Sequence, residues 1–210
     1  MKLVSVIVTT KNNENIIERC LSSIVKQSYR NIELILVDNH STDRTQEIAR
    51  RFTKKVYSHG PERSAQRNFG ARKARGEYIL IIDSDMELNN DVVKNCVEKI
   101  DNNVALVVPE VFVGYGFWTK CKILEKSCYS GTMDGAAARF LRRDKFFSVD
   151  GYDEELTGPE DIDLHKRLAK IGNISFSSVP IIHHDGRLTL KNIVKKRYYY
   201  SLTLSRYLKK

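Results

Sequence analysis

Apolar residues follow two different spacings in the first 110 residues, and the two alternate along the chain. Residues 3–9 form a short β-branched run, which predicts a buried strand. After it, apolar residues recur three or four positions apart, a spacing that predicts an amphipathic helix. These residues are Ile16, Ile17, Cys20, Leu21, Ile24 and Val25. The same change follows the runs at 32–37 and 77–82, the latter leading to a predicted helix near 91–100, and residues 104–109 add another buried strand.

Strands that alternate with helices predict an α/β fold with a mostly parallel, Rossmann-like sheet flanked by helices. The 210 residues suffice for one well-buried core, and 41% hydrophobic with 29% charged residues excludes disorder throughout. No apolar run approaches about 20 residues, and the first residues lack a signal-peptide pattern, so we expect neither a membrane span nor secretion. Four cysteines without CxxC spacing favour a reducing, cytoplasmic setting over a disulfide scaffold or a zinc site.

Polar and acidic residues stand where the predicted strands end, which is where parallel sheets bind their ligands. They are Thr9, Thr10, Lys11, Asp38, Asn39, Asp83, Ser84 and Asp85. The chain has neither GxGxxG after the first strand nor GxxxxGK[ST] anywhere, so it lacks the two commonest phosphate-cradling loops. Carboxylates facing a diphosphate would repel it unless a divalent cation lay between them. The pattern therefore predicts a site for Mg²⁺ or Mn²⁺.

The triplet Asp83-Ser84-Asp85 is weak evidence by itself. The chain has 13 aspartates, so about one such triplet is expected by chance, and a second occurs at 161–163. Its position directly after the apolar run 78–82 gives it weight. A turn whose aspartates cap the next helix is the structural alternative. Asp38 also has two possible roles. It accepts hydrogen bonds from a base or ribose, or it forms a turn with Asn39 and Ser41.

Two acidic residues, Glu160 and Asp161, open a predicted helix after Gly158 and Pro159. The helix dipole alone accounts for negative charge at this position. The functional interpretation is that one of the two acids acts as a general base on an acceptor hydroxyl.

A pair of histidines, His183 and His184, follows the apolar run 179–182. Adjacent side chains of a strand point to opposite faces, so at most one of the two shares the inward face. A neutral imidazole here either completes a metal site begun by Asp85 or has a structural role.

Taken in order, these pieces resemble the family 2 glycosyltransferases with the GT-A fold. Residues 4–12 look like that family's SVIVPTYN start, residues 31–43 are similar to EIIVVDDGSTD, and residues 67–78 match RNxGxxxAxGEY. Residues 135–137, 142–144, 151–154 and 160–168 follow the family's second half in order, so the likeness runs from about residue 3 to 185. Three departures stand out: Thr9 replaces a proline, Lys11 a tyrosine, and Asn39 a second aspartate.

The resemblance implies a metal-dependent, inverting hexosyltransferase that takes a sugar from a nucleoside diphosphate donor, most of all a UDP-sugar. The acceptor would be a hydroxyl or phosphate in a glycan, a glycolipid or a polyprenyl-linked group. The donor nucleotide would contact Thr9, Thr10, Lys11, Asp38, Asn39, Arg67, Asp83 and Ser84. The metal, Mn²⁺ or Mg²⁺, would be held by Asp85 with Asp83 and His183, and Asp161 would be the base with Glu160 beside it.

Residues 1–186 are expected to form the GT-A domain, with a donor half of about 1–110 and an acceptor half of about 111–186. Aromatic residues occur among lysines in 111–133, which suggests an acceptor pocket, while an amphipathic helix packed on the sheet is the alternative. The candidate acceptor residues are Trp118, Asp134 and Gly135.

The charge of the chain is concentrated at its end. Residues 187–210 contain eight Lys or Arg and no acidic residue, which leaves 27 basic and 26 acidic residues elsewhere of a net +9. A basic helical tail with leucines and tyrosines suits peripheral binding to the anionic inner face of the cell membrane; binding a partner and packing on the body are the alternatives.

The nearly neutral body argues against a nucleic-acid-binding protein. A sugar nucleotidyltransferase is a further alternative, disfavoured because no Gly- and Arg/Lys-rich loop follows the first strand.

Overall fold

The computed structural model describes residues 1–128 and 137–209, and within them the chain forms two sheets surrounded by helices. The strands are β1 (Val4–Thr10), β2 (Ile32–Asp38), β3 (Val56–Ser58), β4 (Tyr78–Asp83), β5 (Met86–Leu88), β6 (Ala105–Val107), β7 (Glu110–Tyr115), β8 (Ala138–Arg142), β9 (Ile174–Phe176) and β10 (Ile181–Arg187). The helices are α1 (Ile17–Val25), α2 (Thr45–Ala49), α3 (Arg63–Lys73), α4 (Val92–Lys99), α5 (Phe117–Ser127), α6 (Arg143–Ser148), α7 (Glu160–Ala169), α8 (Leu190–Ser201) and α9 (Leu204–Tyr207).

The larger sheet has the strand order β3-β2-β1-β4-β8-β6-β9. Strands β1 to β4 run parallel, and β8 lies antiparallel between β4 and β6. Alternate side chains of the central strands enter two hydrophobic clusters: Val6 and Val8 face the cluster covered by α1 and α4, and Ile7 faces the one covered by α3 and α7. Burial on both faces explains the continuous apolar runs, and it confirms the predicted parallel α/β sheet.

Helix α3 lies very close to the sheet because of one glycine. A Cβ built on Gly70 would be 2.4 Å from Ile7 Cγ2 and 3.2 Å from Val37 Cγ2. A side chain here would therefore push the helix away from the strands. This close approach places Arg67, about one turn earlier in α3, beneath the carboxyl ends of the strands.

A smaller sheet has the order β5-β10-β7, with β10 antiparallel to β5 and parallel to β7. Its central strand was predicted to end before the histidines, but β10 begins at Ile181 and continues through both of them, because it pairs with strands on both sides. His183 is in register with Met86 on one side and Phe112 on the other. This sheet adjoins the triplet that ends β4 and leads into α5 and α8.

The predicted apolar stripe of α1 holds with one exception. Val25 at the end of the helix is exposed, while Ile17, Cys20, Leu21 and Ile24 are buried. The tail is helical as predicted, although it divides into α8 and α9. Along residues 1–128 and 137–209, each helix is too short or too polar to span a bilayer.

Candidate active site at the carboxyl ends of the strands

The register of the parallel strands brings the predicted strand-end residues together. Thr10 pairs with Asp38 across β1 and β2, and Thr9 pairs with Asp83 across β1 and β4. The Thr9 hydroxyl donates to Asp83 Oδ1 at 3.2 Å. One edge of the sheet therefore carries both predicted acidic positions, as expected for parallel strands.

Asp38 is fully buried and forms the turn that was the structural alternative for it. Its Oδ2 accepts from the Ser41 amide at 2.8 Å and from Gln46 Nε2 at 2.7 Å, and its Oδ1 accepts from the Ser41 hydroxyl. Asn39 donates its amide to the Thr10 carbonyl at 2.9 Å. The Thr10 hydroxyl is buried without a hydrogen-bond partner in the described part of the chain. A contact between Asp38 and a nucleoside stays a prediction.

Two further donor-site candidates flank this edge. Lys11 follows β1 directly and is exposed. Ser84 is buried, and its hydroxyl accepts a hydrogen bond from the side-chain amide of Asn13. This contact ties the loop after β1 to the Asp83-Ser84-Asp85 turn.

A buried arginine joins the donor side of the site to the candidate base. The Arg67 side chain is fully buried, and its Nη2 donates to Asp83 Oδ1 and its Nη1 to Asp161 Oδ1, both at 2.9 Å. Glu160 Oε1 lies 3.5 Å from Nη1, and the guanidinium carbon lies 5.0 Å from the centre of the Tyr152 ring. In this conformation Arg67 binds carboxylates, and the nucleoside contact assigned to it stays a prediction.

Asp83 is neutralised by the protein itself. Besides Arg67, Arg139 Nη2 lies 3.5 Å from Asp83 Oδ2. Burial alone would raise the pKa of Asp83, but the charges of Arg67, Arg139 and Arg63 outweigh burial and hold that pKa well below its ordinary value. Asp83 is therefore an ionised carboxylate whose charge is already compensated.

The two acids at the start of α7 differ in exposure. The Glu160 side chain is 1% exposed; it accepts from the Gly158 amide at 2.6 Å and pairs with Arg63 at 3.0 Å. The Asp161 side chain is 24% exposed. Only Asp161 combines access to solvent with a fixed position, so the geometry favours it over Glu160 as the group that meets an acceptor.

On the smaller sheet, His183 connects Asp85 to Glu110. His183 Nε2 is 3.3 Å from Asp85 Oδ2, and His183 Nδ1 is 2.9 Å from Glu110 Oε2. Glu110 Oε1 in turn accepts from Arg139 Nε at 2.7 Å. The other oxygen of Asp85, Oδ1, is buried without a hydrogen-bond partner among the residues that the structure describes.

The electrostatics of this group follow from its contacts. Burial would lower the pKa of His183, but hydrogen bonds and charges from Asp85 and Glu110 raise it to about 9. Burial would raise the pKa of Glu110, but the charge of Arg139 and the hydrogen bond with His183 lower it to about 2. A metal at His183 would displace a proton from this ring.

The second histidine belongs to a separate contact. His184 Nε2 lies 2.8 Å from Glu87 Oε2, and His184 Nδ1 lies 3.0 Å from Arg19 Nη1. Because Arg19 can only donate, Nδ1 accepts and Nε2 carries the proton given to Glu87. Of the two histidines, His183 is the one beside Asp85.

These residues fit a divalent cation that is shared with a diphosphate. No group of three or more His, Cys, Asp or Glu side chains suited to a metal occurs within residues 1–128 and 137–209. Mg²⁺ and similar ions, however, often bind through one or two protein ligands and complete their shell with substrate phosphates and water. Asp85, with its unpartnered oxygen, and His183 supply such a pair. Asp83 is engaged by arginines, and its assignment to the metal stays a prediction.

The acceptor candidates lie elsewhere or outside the described residues. Trp118 lies on α5, beyond the far end of β7, and β7 extends roughly 16 Å from Glu110 to Tyr115. Its ring meets Phe117 edge-on at 5.1 Å between centres. Asp134 and Gly135 lie outside the described residues. The structure thus groups Asp83, Asp85, Asp161 and Arg67, and it leaves Trp118 apart.

Sequence reasoning missed Arg139, Glu110 and Arg63. A signal existed for Arg139, because it interrupts the otherwise apolar stretch 138–141 of a buried strand. A buried cation requires a buried partner, and here the partners are Glu110 and Asp83. Glu110 carried no comparable signal, because its role depends on pairing between strands more than 70 residues apart.

Comparisons with known proteins agree with this geometry. The profile of the family described as Glycosyl transferase family 2 matches residues 5–196. A GalNAc(5)-diNAcBac-PP-undecaprenol beta-1,3-glucosyltransferase of Campylobacter jejuni is 25% identical over 182 residues, which are 75% of this chain and 58% of that protein. The chain spans between 15% and 58% of the length of eight curated relatives that it matches.

Two solved structures share the fold. S. aureus TarS 1–349 in complex with UDP-GlcNAc has a TM-score of 0.70 at 23% identity, covering 91% of this chain and 60% of that one. The mannosyltransferase PcManGT from Pyrobaculum calidifontis, in complex with GDP-Man and Mn²⁺, has a TM-score of 0.70 at 19% identity, covering 100% of this chain and 65% of that one. These likenesses confirm the predicted GT-A arrangement of the α/β fold.

Proposed function

This chain belongs to glycosyl transferase family 2, and we propose that it is a metal-dependent, inverting glycosyltransferase that moves a sugar from a nucleoside diphosphate to an acceptor hydroxyl or phosphate. The observation that carries the proposal is the unequal state of the two aspartates in Asp83-Ser84-Asp85. Asp83 is bound by two arginines, while Asp85 contacts His183 through Oδ2 and has no hydrogen-bond partner for Oδ1 in the part of the chain that the structure describes.

Donor and metal are assigned to this triplet. Asp85 and His183 would hold Mn²⁺ or Mg²⁺, which when bound supplies positive charge to the departing diphosphate. The edge formed by Thr10, Asp38 and Asn39 would receive the nucleoside. A UDP-sugar is the donor we favour; bound UDP-GlcNAc in the TarS structure supports this class, and GDP-Man in the PcManGT structure makes GDP-sugars the next to test.

Proton transfer is assigned to Asp161. Its Oδ1 accepts from Arg67, which leaves Oδ2 as the atom that we assign to the acceptor proton. As the acceptor oxygen forms its bond to the anomeric carbon, the bond to the diphosphate oxygen breaks and Asp161 takes the proton. A single displacement of this kind inverts the configuration at that carbon. Arg67 donates to both Asp161 and Asp83, and would hold the two carboxylates in place beside the reacting groups.

The acceptor class is proposed from a relative of the chain. We propose a glycan or a lipid-linked acceptor, and the undecaprenol-linked group in the name of the Campylobacter jejuni relative supports the lipid-linked form. We place the reaction in the cytoplasm, where the free thiols of Cys20, Cys96, Cys121 and Cys128 would stay reduced.

Donor and metal binding can be tested through thermal stability. A panel of UDP-, GDP- and dTDP-sugars is added with and without Mn²⁺, because a bound donor raises the melting temperature by mass action. We expect a Mn²⁺-dependent rise for one donor class, and Asp85→Ala should remove the Mn²⁺-dependent part. Glu87→Ala, two residues further along, is the matched control and should retain it. A full Mn²⁺ response in Asp85→Ala would contradict the assignment of the metal.

Catalysis is tested with the donor so identified. Asp161→Asn should keep the donor's thermal shift and lower turnover about 10²–10⁴-fold, the usual contribution of a general base. Released nucleoside diphosphate identifies a glycosyltransferase, whereas pyrophosphate would identify a sugar nucleotidyltransferase. Unchanged turnover in Asp161→Asn would show that the base lies elsewhere.

A further inference from the structure

Helix α5 turns its apolar stripe towards solvent. Phe117 and Leu124 are 70% and 68% exposed, and Cys121 and Cys128 are exposed at spacings that place all four on one face. Thr119 is the buried residue of this helix. An amphipathic helix of a globular protein normally directs its apolar stripe to the core. Here Thr119, with the half-buried Lys122 and Ile123, faces the protein, and the apolar stripe faces solvent.

Helix α8 shows the same inversion. Leu190, Val194 and Tyr198 are spaced four apart, and they are 48%, 57% and 69% exposed. The opposite flank holds the helix to the body: the Tyr199 hydroxyl donates to Glu62, and the Tyr200 ring lies 5.4 Å from the Arg63 guanidinium carbon. The exposed side chains therefore belong to an anchored helix.

The two helices are neighbours. Arg197 on α8 pairs with Glu125 on α5 at 2.6 Å. Just before α8, the Leu188 amide donates to the Thr119 hydroxyl at 2.8 Å. Their exposed residues define one surface, which we call the α5–α8 surface: Phe117, Trp118, Leu124, Leu190, Val194 and Tyr198.

Positive charge accompanies these apolar residues. Lys120 and Lys126 on α5, and Lys191 and Lys195 on α8, are exposed. Glu125 is the acidic residue on these two helices, and Arg197 neutralises it. Apolar side chains interleaved with lysines match a surface that is apolar inside and anionic outside.

We propose that the α5–α8 surface docks on an anionic lipid bilayer. Phe117, Leu124 and Val194 would enter the boundary between head groups and acyl chains, and the lysines would contact the phosphates. A polar anionic partner such as a nucleic acid would use the lysines and leave the apolar stripes in water. An anionic lipid surface accommodates both the apolar side chains and the lysines.

The position of this surface connects it to the active site. Strands β7 and β10 run parallel, from Glu110 and His183 at the site to Tyr115 and Arg187 beside α5 and α8. Docking would therefore place the candidate metal site within one short strand of the helices that meet the membrane. This proximity suits a lipid-linked acceptor, a consequence that rests on the proposed function, whereas docking itself does not.

Vesicle binding tests the docking. The full chain is co-sedimented with phosphatidylcholine vesicles with and without phosphatidylglycerol, at low and at high salt. We expect binding to the anionic vesicles that weakens with salt, and little binding to phosphatidylcholine alone. Lys191→Glu/Lys195→Glu should lower binding about thirtyfold or more, since two cations contribute about 1 kcal/mol each. Phe117→Ser/Leu124→Ser should lower it at both salt concentrations.

The matched control is Lys54→Glu/Lys94→Glu, which makes the same charge change at exposed positions away from this surface. Equal loss in the control pair would overturn the proposal, and so would equal binding to both kinds of vesicle. A stable dimer that Phe117→Ser/Leu124→Ser dissociates would assign the surface to a second copy instead. The donor-induced thermal shift should persist in every variant, so that failed docking is distinguished from failed donor binding.

Discussion

Two clusters of charged side chains meet the triplet Asp83-Ser84-Asp85, and they are built differently. The cluster around Arg67 belongs to the larger sheet and contains Asp83, Asp161 and Glu160, each contacted by a protein cation. The cluster around His183 belongs to the smaller sheet, and there Asp85 Oδ1 has no partner within the described residues. The carboxylates of the Arg67 cluster are each paired with an arginine, although Arg67 Nε and Glu160 Oε1 lack a hydrogen bond within the described residues. Asp85 is paired with His183 through Oδ2, which leaves Oδ1 as a hard oxygen ligand for an added cation.

This difference in pairing indicates which part of the site supports the fold and which part receives a ligand. Buried carboxylates are retained only when they are paired, because an uncompensated buried charge is strongly destabilising. The Arg67 cluster meets this condition without a ligand, so its loss should be seen in stability. In the His183 cluster Asp85 is paired with His183 through Oδ2, and its Oδ1 has no hydrogen bond among the described residues, so the loss of this cluster should be seen in metal binding.

We expect the largest loss of stability when the cluster around Arg67 is disrupted. Arg67→Met should destabilise the protein by about 3–5 kcal/mol, since it leaves Asp83 and Asp161 without their shared partner. Urea denaturation measures this loss. Arg63→Met should cost less, about 1 kcal/mol, because Arg67 Nη1 stays 3.5 Å from Glu160 Oε1 and the Gly158 amide still donates to Oε2. Wild-type stability in Arg67→Met would show that the cluster does not hold the fold.

A second, smaller effect is expected on metal binding at the cluster around His183. Glu110→Gln should weaken Mn²⁺ binding about 10–100-fold, because Glu110 orients His183 and residues that orient a metal ligand typically contribute this much. Calorimetry in the presence of saturating nucleoside diphosphate measures the affinity. Nucleotide binding without Mn²⁺ should be unchanged.

The chain supplies a matched control for Glu110→Gln. Glu87 holds His184 at 2.8 Å much as Glu110 holds His183 at 2.9 Å, but it is the His183 ring that contacts the Asp85 carboxylate. Glu87→Gln should therefore leave Mn²⁺ affinity unchanged. Equal weakening in both variants would mean that the effect is a general loss of negative charge.

The smallest effect concerns a closed carboxylate far from the site. At the other end of the larger sheet, Glu33 accepts from Lys55, the Ser5 hydroxyl and the Arg75 amide. Burial would raise the pKa of Glu33, but these contacts lower it from 4.5 to about 2. A lowered pKa stabilises the fold above pH 4.5, and this stabilisation is lost as the pH falls from 4.5 towards 2.

Glu33→Gln tests this pH dependence. The variant should be less stable than the wild type by about 1–2 kcal/mol at pH 7, and the difference should shrink as the pH falls towards 3. Chemical denaturation at both pH values measures it. Donor and Mn²⁺ binding at pH 7 should not change. A difference that stays constant down to pH 3 would show that the charge of Glu33 is not the cause.

The larger sheet was predictable because its signals are local. The apolar runs that indicated β1, β2 and β4 end within one residue of the observed strands, since burial on both faces leaves few polar residues until the turn. The polar residues after these runs then fell at one edge, as parallel pairing requires. Asp83, Asp85 and Asp161 could be chosen on this basis.

The smaller sheet was not predictable because its pairing is long-range. Strand β5 has three residues and pairs with β10, which lies almost 100 positions later. The contact between Glu110 and His183 depends in the same way on the pairing of β7 with β10, so nothing local in the sequence links the two residues. Ser41 by itself indicates a turn at Asp38. A nucleoside contact would use the same aspartate, so the sequence did not decide between the two interpretations.

Strand β8 has a consequence for how the chain is made. It lies between β4 and β6, so the apolar strand β4 has an open edge until residue 142 has left the ribosome. An open apolar edge is a template for aggregation, and a nascent chain that stalls before β8 would expose one. Arg139 arrives on the same strand, so synthesis of these few residues covers the edge of β4 and brings a counter-ion to Asp83 in one event.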